Sequence, residues 1–478
     1  MSSDQEQQQH ITAVSAPGKV LLAGGYLVLD RAYTGLVFGL SARINIVAQE
    51  IHTSPGVHLT EIVVESPQFL EAQWRYGYHL ADEDGGIKVT QLQIGSHIVA
   101  NPFVETTLNY ALTYIARISK HSPTHVVKSA RLTILADNDY YSQPTTSSSS
   151  SSADAATTHS SSSSTTPPAA TINALRGSRF ARFPVKLTEA HKTGLGSSAA
   201  LVTSLTAALL THYLDPTLFS LSSPRGRQVL HNLAQAAHCA AQGKVGSGFD
   251  VAAAVYGSSL YRRFSPSVLS SVPEPGARGF ATALERVVSD SDDTNKIWDT
   301  QIEKDAVSLP QGVGLRMCDV DCGSQTVGMV KQVLAWRARE PVASKELWDE
   351  LQRRNEALAL VLKEGRTDDL RGAVAAVREL VRKMGAASGV PIEPESQTAL
   401  LDALEGVEGV YGGVVPGAGG YDAVAVLCRD DVETAELIKE FVAGWSKKVG
   451  GKVSLLEVKG EMKGVRTEEL GIYKGWIQ

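Results

Sequence analysis

Apolar residues along this chain switch repeatedly between two spacings, alternation with polar neighbours and recurrence every three to four positions, so strands and helices are expected to be mixed throughout. Strand-like runs occupy residues 11–14, 36–50, 58–65, 87–99 and 131–143, the last ending in a polar loop tipped with aromatic side chains. Residues 104–119 place Val104, Leu108, Ala111, Leu112 and Ile115 at helical spacing. Ser15 to Lys19 reads as a turn between the first run and the apolar Val20–Ala23, and Gly24-Gly25 interrupts that run before Tyr26 to Asp30 resumes it. Further on, 312–320 reads as a strand, followed by helices at 324–338, 344–363 and 367–385. After 397–405 come strands at 407–415 and 423–428, a helix at 431–447 and a strand at 452–459. This order suits an α+β protein, and no repeat of fixed period interrupts it.

The stretch 183–210 changes character three times. Phe183, Val185 and Leu187 alternate with Lys186 and Thr188, which predicts a half-exposed strand. Thr193-Gly194-Leu195-Gly196-Ser197-Ser198 forms a glycine- and serine-rich loop, and from Ala199 to Leu210 nearly every side is small or aliphatic, as in a helix buried all round. The first N–H groups of a helix lack internal partners and carry partial positive charge, so a polyphosphate suits this junction. Gly194 and Gly196 allow close backbone approach. The Ser197 and Ser198 hydroxyls can cap the helix, touch a phosphate oxygen or ligate Mg²⁺. A capped core helix that binds nothing fits the same letters.

A second helical run, 226–242, stops at Gly243. The loop Lys244-Val245-Gly246-Ser247-Gly248-Phe249 then delivers Asp250 to the start of the run 251–256. An acidic residue there serves the helix dipole whether or not it has another duty. Residues 144–171 are dominated by Ser, Thr, Pro and Ala, too poor in apolar surface to offset ordering, so a disordered insertion within a hairpin is expected. Residues 1–10 are polar and are expected to be disordered as well. The polar stretch 286–305 suggests a division into an N-terminal part, 11–285, and a C-terminal part, 286–478.

Composition narrows the partners. A net charge of −6 offers no general attraction to nucleic acid or to anionic membrane, so a polyanionic ligand must meet a local pocket of lysines and backbone N–H groups. Four cysteines without zinc spacing read as reduced thiols. With no apolar leader and no apolar run of about 18 residues, a cytoplasmic protein without membrane insertion is expected. Lysine-bearing phosphate loops of the G-x-x-x-x-G-K-[ST] kind, protein-kinase signatures, a nucleophile elbow, a dinucleotide fingerprint and H-E-x-x-H are all absent from the sequence.

What remains is three glycine-rich loops far apart in sequence, SAPGKVLLAGG (15–25), KTGLGSSAA (192–200) and PGAGGYD (416–422), together with Lys19 and Asp250. In this order they closely resemble the GHMP kinase superfamily. Gly24-Gly25-Tyr26 stands where mevalonate kinases carry Gly-Glu-His, and Lys192, the run 237–258, the loop 137–143 and Gly419-Gly420-Tyr421-Asp422 are similar to the fungal phosphomevalonate kinases. The resemblance implies a two-domain GHMP kinase fold, an N-terminal α/β nucleotide-binding domain with a ferredoxin-like C-terminal domain. It implies transfer of the γ-phosphoryl group of ATP to 5-phosphomevalonate, with Mg²⁺, in isoprenoid and sterol synthesis. The site it implies has Lys19 and Asp250 as catalytic residues and Lys192, Thr193, Gly194, Leu195, Gly196, Ser197, Ser198 and Ala199 around the nucleotide phosphates. Ser198 is also the implied metal ligand, and Ser247, Gly417, Ala418 and Gly419 contact the acceptor. Mevalonate kinase, diphosphomevalonate decarboxylase and a non-catalytic metabolite sensor on the same fold remain alternatives.

Overall fold

The structure, a computed structural model, describes residues 10–52, 59–92, 99–119, 127–141, 179–292, 294–320 and 326–477. The proposed insertion 144–171 and the N-terminal segment 1–9 lie outside the described residues.

Two long strands, β1 (Ile11–Ala23) and β2 (Gly35–Glu50), form an antiparallel pair from Ile11 opposite Gln49 to Ala23 opposite Leu36. The turn expected at 15–19 is therefore a correction: the chain stays in the strand and its register slips between Pro17 and Lys19. Proline withholds a ladder donor, and Gly18 lies so close to the Leu195 carbonyl and the Tyr140 hydroxyl that a Cβ would stand 2.8 and 2.9 Å away. A bulge satisfies both constraints while the flanks keep pairing. Residues 27–29 form a 3₁₀ turn rather than an extended run.

Around this pair the N-terminal lobe adds β3 (Glu61–Glu65), β4 (Gln73–Ala81), β5 (Gly86–Gln91), β6 (Ala130–Ala136), β7 (Ser259–Arg262) and β8 (Gln301–Glu303). β4 was not foreseen, although Trp74, Tyr76 and Tyr78 alternate on its buried face. One face of the sheet carries α1 (Pro102–Ser119), α2 (Ser197–Tyr213), α3 (Pro224–Gln242), α4 (Phe249–Tyr256) and α5 (Phe280–Ser289). α2 packs on β1 and β2 and is itself covered by α1, α3 and α4, which is why its sequence is apolar on every side. A Ser223 hydroxyl and Pro224 start α3, and Gly243 in the left-handed conformation ends it, so both ends of that helix are legible locally.

The strand expected at 183–188 does not form. Pro184 supplies no donor, and Phe183 instead stacks on Phe69 with ring centroids 5.1 Å apart, while Lys186 and Lys192 make only isolated bridges to Leu70 and Tyr141. With no strand there, the hairpin around the insertion is also a correction.

In the C-terminal lobe, β9 (Val313–Val320), β10 (Val410–Val414), β11 (Ala423–Arg429) and β12 (Val453–Glu461) lie antiparallel in the order β10-β11-β9-β12. Both faces are buried. Cys318, Val424, Val426 and Cys428 meet α9 (Glu395–Leu404) and α10 (Val432–Val449), whereas Leu315, Met317, Ala425 and Leu427 join the cluster holding α6 (Thr326–Arg339), α7 (Pro341–Glu364) and α8 (Thr367–Ser388). A sheet covered on both sides needs apolar residues at consecutive positions, as in Val424–Cys428.

β12 also pairs with β2, so a single sheet runs through both lobes. Arg43, 1% exposed, reinforces this junction: its guanidinium donates to Ser15 Oγ (2.6 Å), to Glu461 (2.8 Å) and to the Gly464 carbonyl (2.6 Å). Beyond β12 the chain returns to the N-terminal lobe, where β13 (Arg466–Thr467) pairs with β1 and Tyr473 packs with Phe180 and Leu135 on the sheet's other face. A division at 285/286 falls inside α5, which packs on α1 and α3, and β8 beyond it pairs with β7.

Candidate active site

The bulge in β1 aims Lys19 at the start of α2. Its backbone N–H donates to the Leu195 carbonyl (2.9 Å), and its Nζ lies 3.4 Å from the Gly194 carbonyl and 5.7 Å from the centre of the Phe249 ring. Gly196 is required by this approach, since a Cβ there would stand 2.8 Å from both Cγ and Cε of Lys19 and its φ is +83°. Burial pushes the Lys19 ammonium below the usual lysine range, and the nearby Asp250 charge pulls it partly back.

The glycine loop is anchored from behind. Thr193 donates through Oγ1 to the Asp139 carbonyl (2.6 Å) and through its N–H to the Tyr140 carbonyl (3.2 Å). Gly196 caps α2 in the left-handed conformation, and no side chain caps that helix, so neither Ser197 nor Ser198 spends its hydroxyl on the helix end. The open N–H groups of the first turn remain for an anion. Ser198 Oγ instead lies 3.1 Å from Nε2 of His238.

Asp250 sits in the first turn of α4, where its Oδ1 accepts from the Val251 N–H (3.0 Å). Gly248 precedes that helix at φ +83°, and a Cβ there would meet the Tyr261 hydroxyl at 2.6 Å. The same hydroxyl donates to the Ser247 carbonyl (2.8 Å), which fixes the approach to Asp250.

The third glycine loop crosses from the C-terminal lobe and docks directly on β1. The Gly417 N–H donates to the Leu21 carbonyl (2.9 Å), and Tyr26 donates through its hydroxyl to the Ala418 carbonyl (2.6 Å). Gly25 and Gly417 are in such close contact that a Cβ on Gly25 would lie 2.0 Å from the Gly417 oxygen. Gly419 is held equally closely against the Ile392 carbonyl.

Together these parts enclose a cavity of 520 Å³. Lys19, Lys192, Thr193, Gly194 and Ser247 line one side, Gly417, Ala418 and Gly419 close another, and Asp319 and Asp422 face in from the C-terminal sheet. Most of the expected positions thus meet in one place. Asp250, Gly196, Ser197 and Ser198 lie outside the lining of the cavity, and the Leu195 and Ala199 side chains are buried in the core, where Leu195 acts through its carbonyl. Tyr26, His238, Asp319 and Asp422 were not anticipated. Tyr26 and His238 lie inside stretches already singled out by motif, but nothing local distinguishes a tyrosine that pins a loop, or a histidine that faces two helix starts, from core residues.

A glycine loop at a helix start, with a half-buried lysine beside it and a second lobe closing the cleft, defines a GHMP-type small-molecule kinase. Family models agree, the GHMP kinases N terminal domain matching residues 169–258 and the GHMP kinases C terminal model matching 366–447. The chain belongs to the phosphomevalonate kinase family. It is 63% identical to the phosphomevalonate kinase of Gibberella zeae over 97% of this chain and 98% of that one. It is 44% identical to that of Aspergillus fumigatus over 98% and 99%. In fold it is similar to the Streptococcus pneumoniae phosphomevalonate kinase in complex with phosphomevalonate and AMPPNP, with a TM-score of 0.58 at 16% identity, covering 94% of this chain and 99% of that one. Among the described residues no helix is long and apolar enough to cross a membrane.

Proposed function

We propose that this chain transfers the γ-phosphoryl group of ATP to the phosphate of (R)-5-phosphomevalonate, giving (R)-5-diphosphomevalonate and ADP, a step of isoprenoid and sterol synthesis. The observation that carries this reading is Lys19, held against the 194–196 loop inside a cavity closed by the 416–419 loop. Reactions of this kind rest on positioning and charge neutralisation. The backbone N–H groups at the start of α2, with Lys192 and Thr193, bind the nucleotide phosphates, and Lys19 opposes the charge on the transferred group. Ser247 and the loop Gly417-Ala418-Gly419 contact the acceptor. A phosphate monoester is already largely ionised near neutrality, its second pKa being about 6, so a strong general base is unnecessary. Asp250 therefore acts first by holding Lys19 charged and oriented, and second as a proton acceptor.

Among the described residues no group of three or more His, Cys, Asp or Glu side chains could hold a metal on its own. Mg²⁺ keeps several waters and is held largely by substrate phosphates, so it needs few protein ligands. Ser198 Oγ, at the N-terminus of α2, is the protein ligand in this proposal. When bound, the ion neutralises charge between the phosphates.

The test is ADP release measured separately with mevalonate, 5-phosphomevalonate and 5-diphosphomevalonate. Turnover with 5-phosphomevalonate alone is expected. Turnover with either other compound in its place assigns a different reaction, and binding of both ligands without ADP release makes the protein a sensor. A cytoplasmic location is part of the proposal; the Arabidopsis thaliana relative is named as peroxisomal, and fractionation of the expressing cell distinguishes the two.

A further inference from the structure

His238 lies one turn before the end of α3 and is 2% exposed. Three helices converge on its ring. Nε2 is 3.1 Å from Ser198 Oγ in the first turn of α2 and 3.2 Å from Nε2 of Gln242 on its own helix. Nδ1 is 3.9 Å from Oδ2 of Asp250 in the first turn of α4. The Phe103 ring, centroid 5.8 Å away, packs against it.

These neighbours favour Nδ1 as the nitrogen that carries the proton in the neutral ring. A carboxylate only accepts, so a bare Nδ1 lone pair facing Asp250 would be repelled, whereas Nδ1–H is attracted. Gln242 is placed with its amide nitrogen, which only donates, toward Nε2, and this favours Nε2 as the acceptor. With Nε2 an acceptor, the Ser198 hydroxyl donates to it, and the Ser198 oxygen lone pairs are left pointing away from the histidine. Asp250 Oδ1 accepts at the same time from the Val251 N–H, while Oδ2 lies 3.9 Å from the imidazole, an electrostatic contact beyond hydrogen-bond distance.

We propose that His238 is a positioning residue for phosphoryl transfer: Nε2 accepts a hydrogen bond from the Ser198 hydroxyl so that Oγ presents its lone pairs to Mg·ATP, while Nδ1–H faces the Asp250 carboxylate and stabilises its charge. The metal part of this inference rests on the phosphomevalonate kinase reading with Ser198 as a magnesium ligand. The tautomer does not. Groups that orient a metal ligand from behind typically change metal affinity by roughly 10–100-fold when removed.

Two measurements on the full chain test it. In ligand-free protein labelled at histidine, with the His238 signal identified by its absence from His238→Gln, the nitrogen shifts are expected to report a proton on Nδ1 at a pH where the ring is neutral. A proton on Nε2 overturns the proposal. By calorimetry, His238→Ala is expected to raise the Mg²⁺ concentration needed for tight ATP binding by roughly 10-fold or more, with metal-free ATP binding within about twofold of wild type. His238→Gln, whose amide oxygen can accept from Ser198, is expected to recover most of that loss. Equal weakening with and without Mg²⁺, no change at all, or a Gln variant as impaired as the Ala variant overturns the positioning role. Should the Ala variant fail to fold, the wild-type tautomer and the Gln variant decide. A wild type that turns over mevalonate instead would overturn the assigned reaction while leaving the tautomer and the Mg²⁺ effect standing.

Discussion

Gly25→Ala probes the contact that joins the first and third glycine loops. The backbone of Gly25 is not in the left-handed region, so an alanine introduces no local strain, and its whole effect is steric. Its Cβ would lie 2.0 Å from the Gly417 oxygen, and ordinary contact begins at 3.4 Å, so the two segments must separate by about 1.4 Å. Neither hydrogen bond across this contact, Gly417 N–H to the Leu21 carbonyl at 2.9 Å or the Tyr26 hydroxyl to the Ala418 carbonyl at 2.6 Å, survives such a shift. At about 1 kcal/mol each, their loss weakens the docking of the loop by about 2 kcal/mol. Because that loop walls the cavity beside Lys19, a displacement of this size should lower turnover by about 10²-fold. Tyr26→Phe is the control: it removes one hydrogen bond without the steric push and should cost no more than about 10-fold. The assay is steady-state ADP release at varied 5-phosphomevalonate, with far-ultraviolet circular dichroism to establish that both variants are folded. A folded Gly25→Ala protein with wild-type kcat and KM would refute the reasoning, as would a Tyr26→Phe variant equally impaired.

Lys19→Met should lower turnover by roughly 10²–10³-fold, the scale for one preorganised electrostatic donor, and weaken nucleotide binding less, as calorimetry would register. Asp250→Asn removes the charge that supports the Lys19 ammonium against burial, so the alkaline limb of the kcat profile should move to lower pH; a limb that stays put or moves up would contradict that coupling. Ser198→Ala should reduce kcat/KM for Mg·ATP by about 1–3 kcal/mol in free-energy equivalents, and undiminished use of ATP would remove Ser198 from the site.

Local chemistry alone determined a good deal. The serine and proline that open α3 and the glycine that closes it are set by neighbours within a few residues, because a helix end must satisfy its own backbone groups. The three glycine loops were legible for the same kind of reason: a backbone that approaches a ligand or another backbone cannot carry a side chain. The tertiary structure decided the rest. Pro17-Gly18 looks like a turn by composition, yet becomes a bulge because β2 continues to pair on both sides of it, and that pairing depends on residues about twenty positions away. Phe183, Val185 and Leu187 have the period of a strand, but periodicity reports only which residues are buried, and here the aromatic partners Phe69 and Tyr141 bury Phe183 without offering a ladder. The same limit hid His238, whose meaning lies in facing Ser198 and Asp250 from a third helix. It also hid Gly25, which reads as one glycine of a loop until Gly417, almost four hundred residues later in the chain, comes within touching distance of its backbone. Contacts between distant segments exist only once the chain has closed on itself, so no window of sequence contains them.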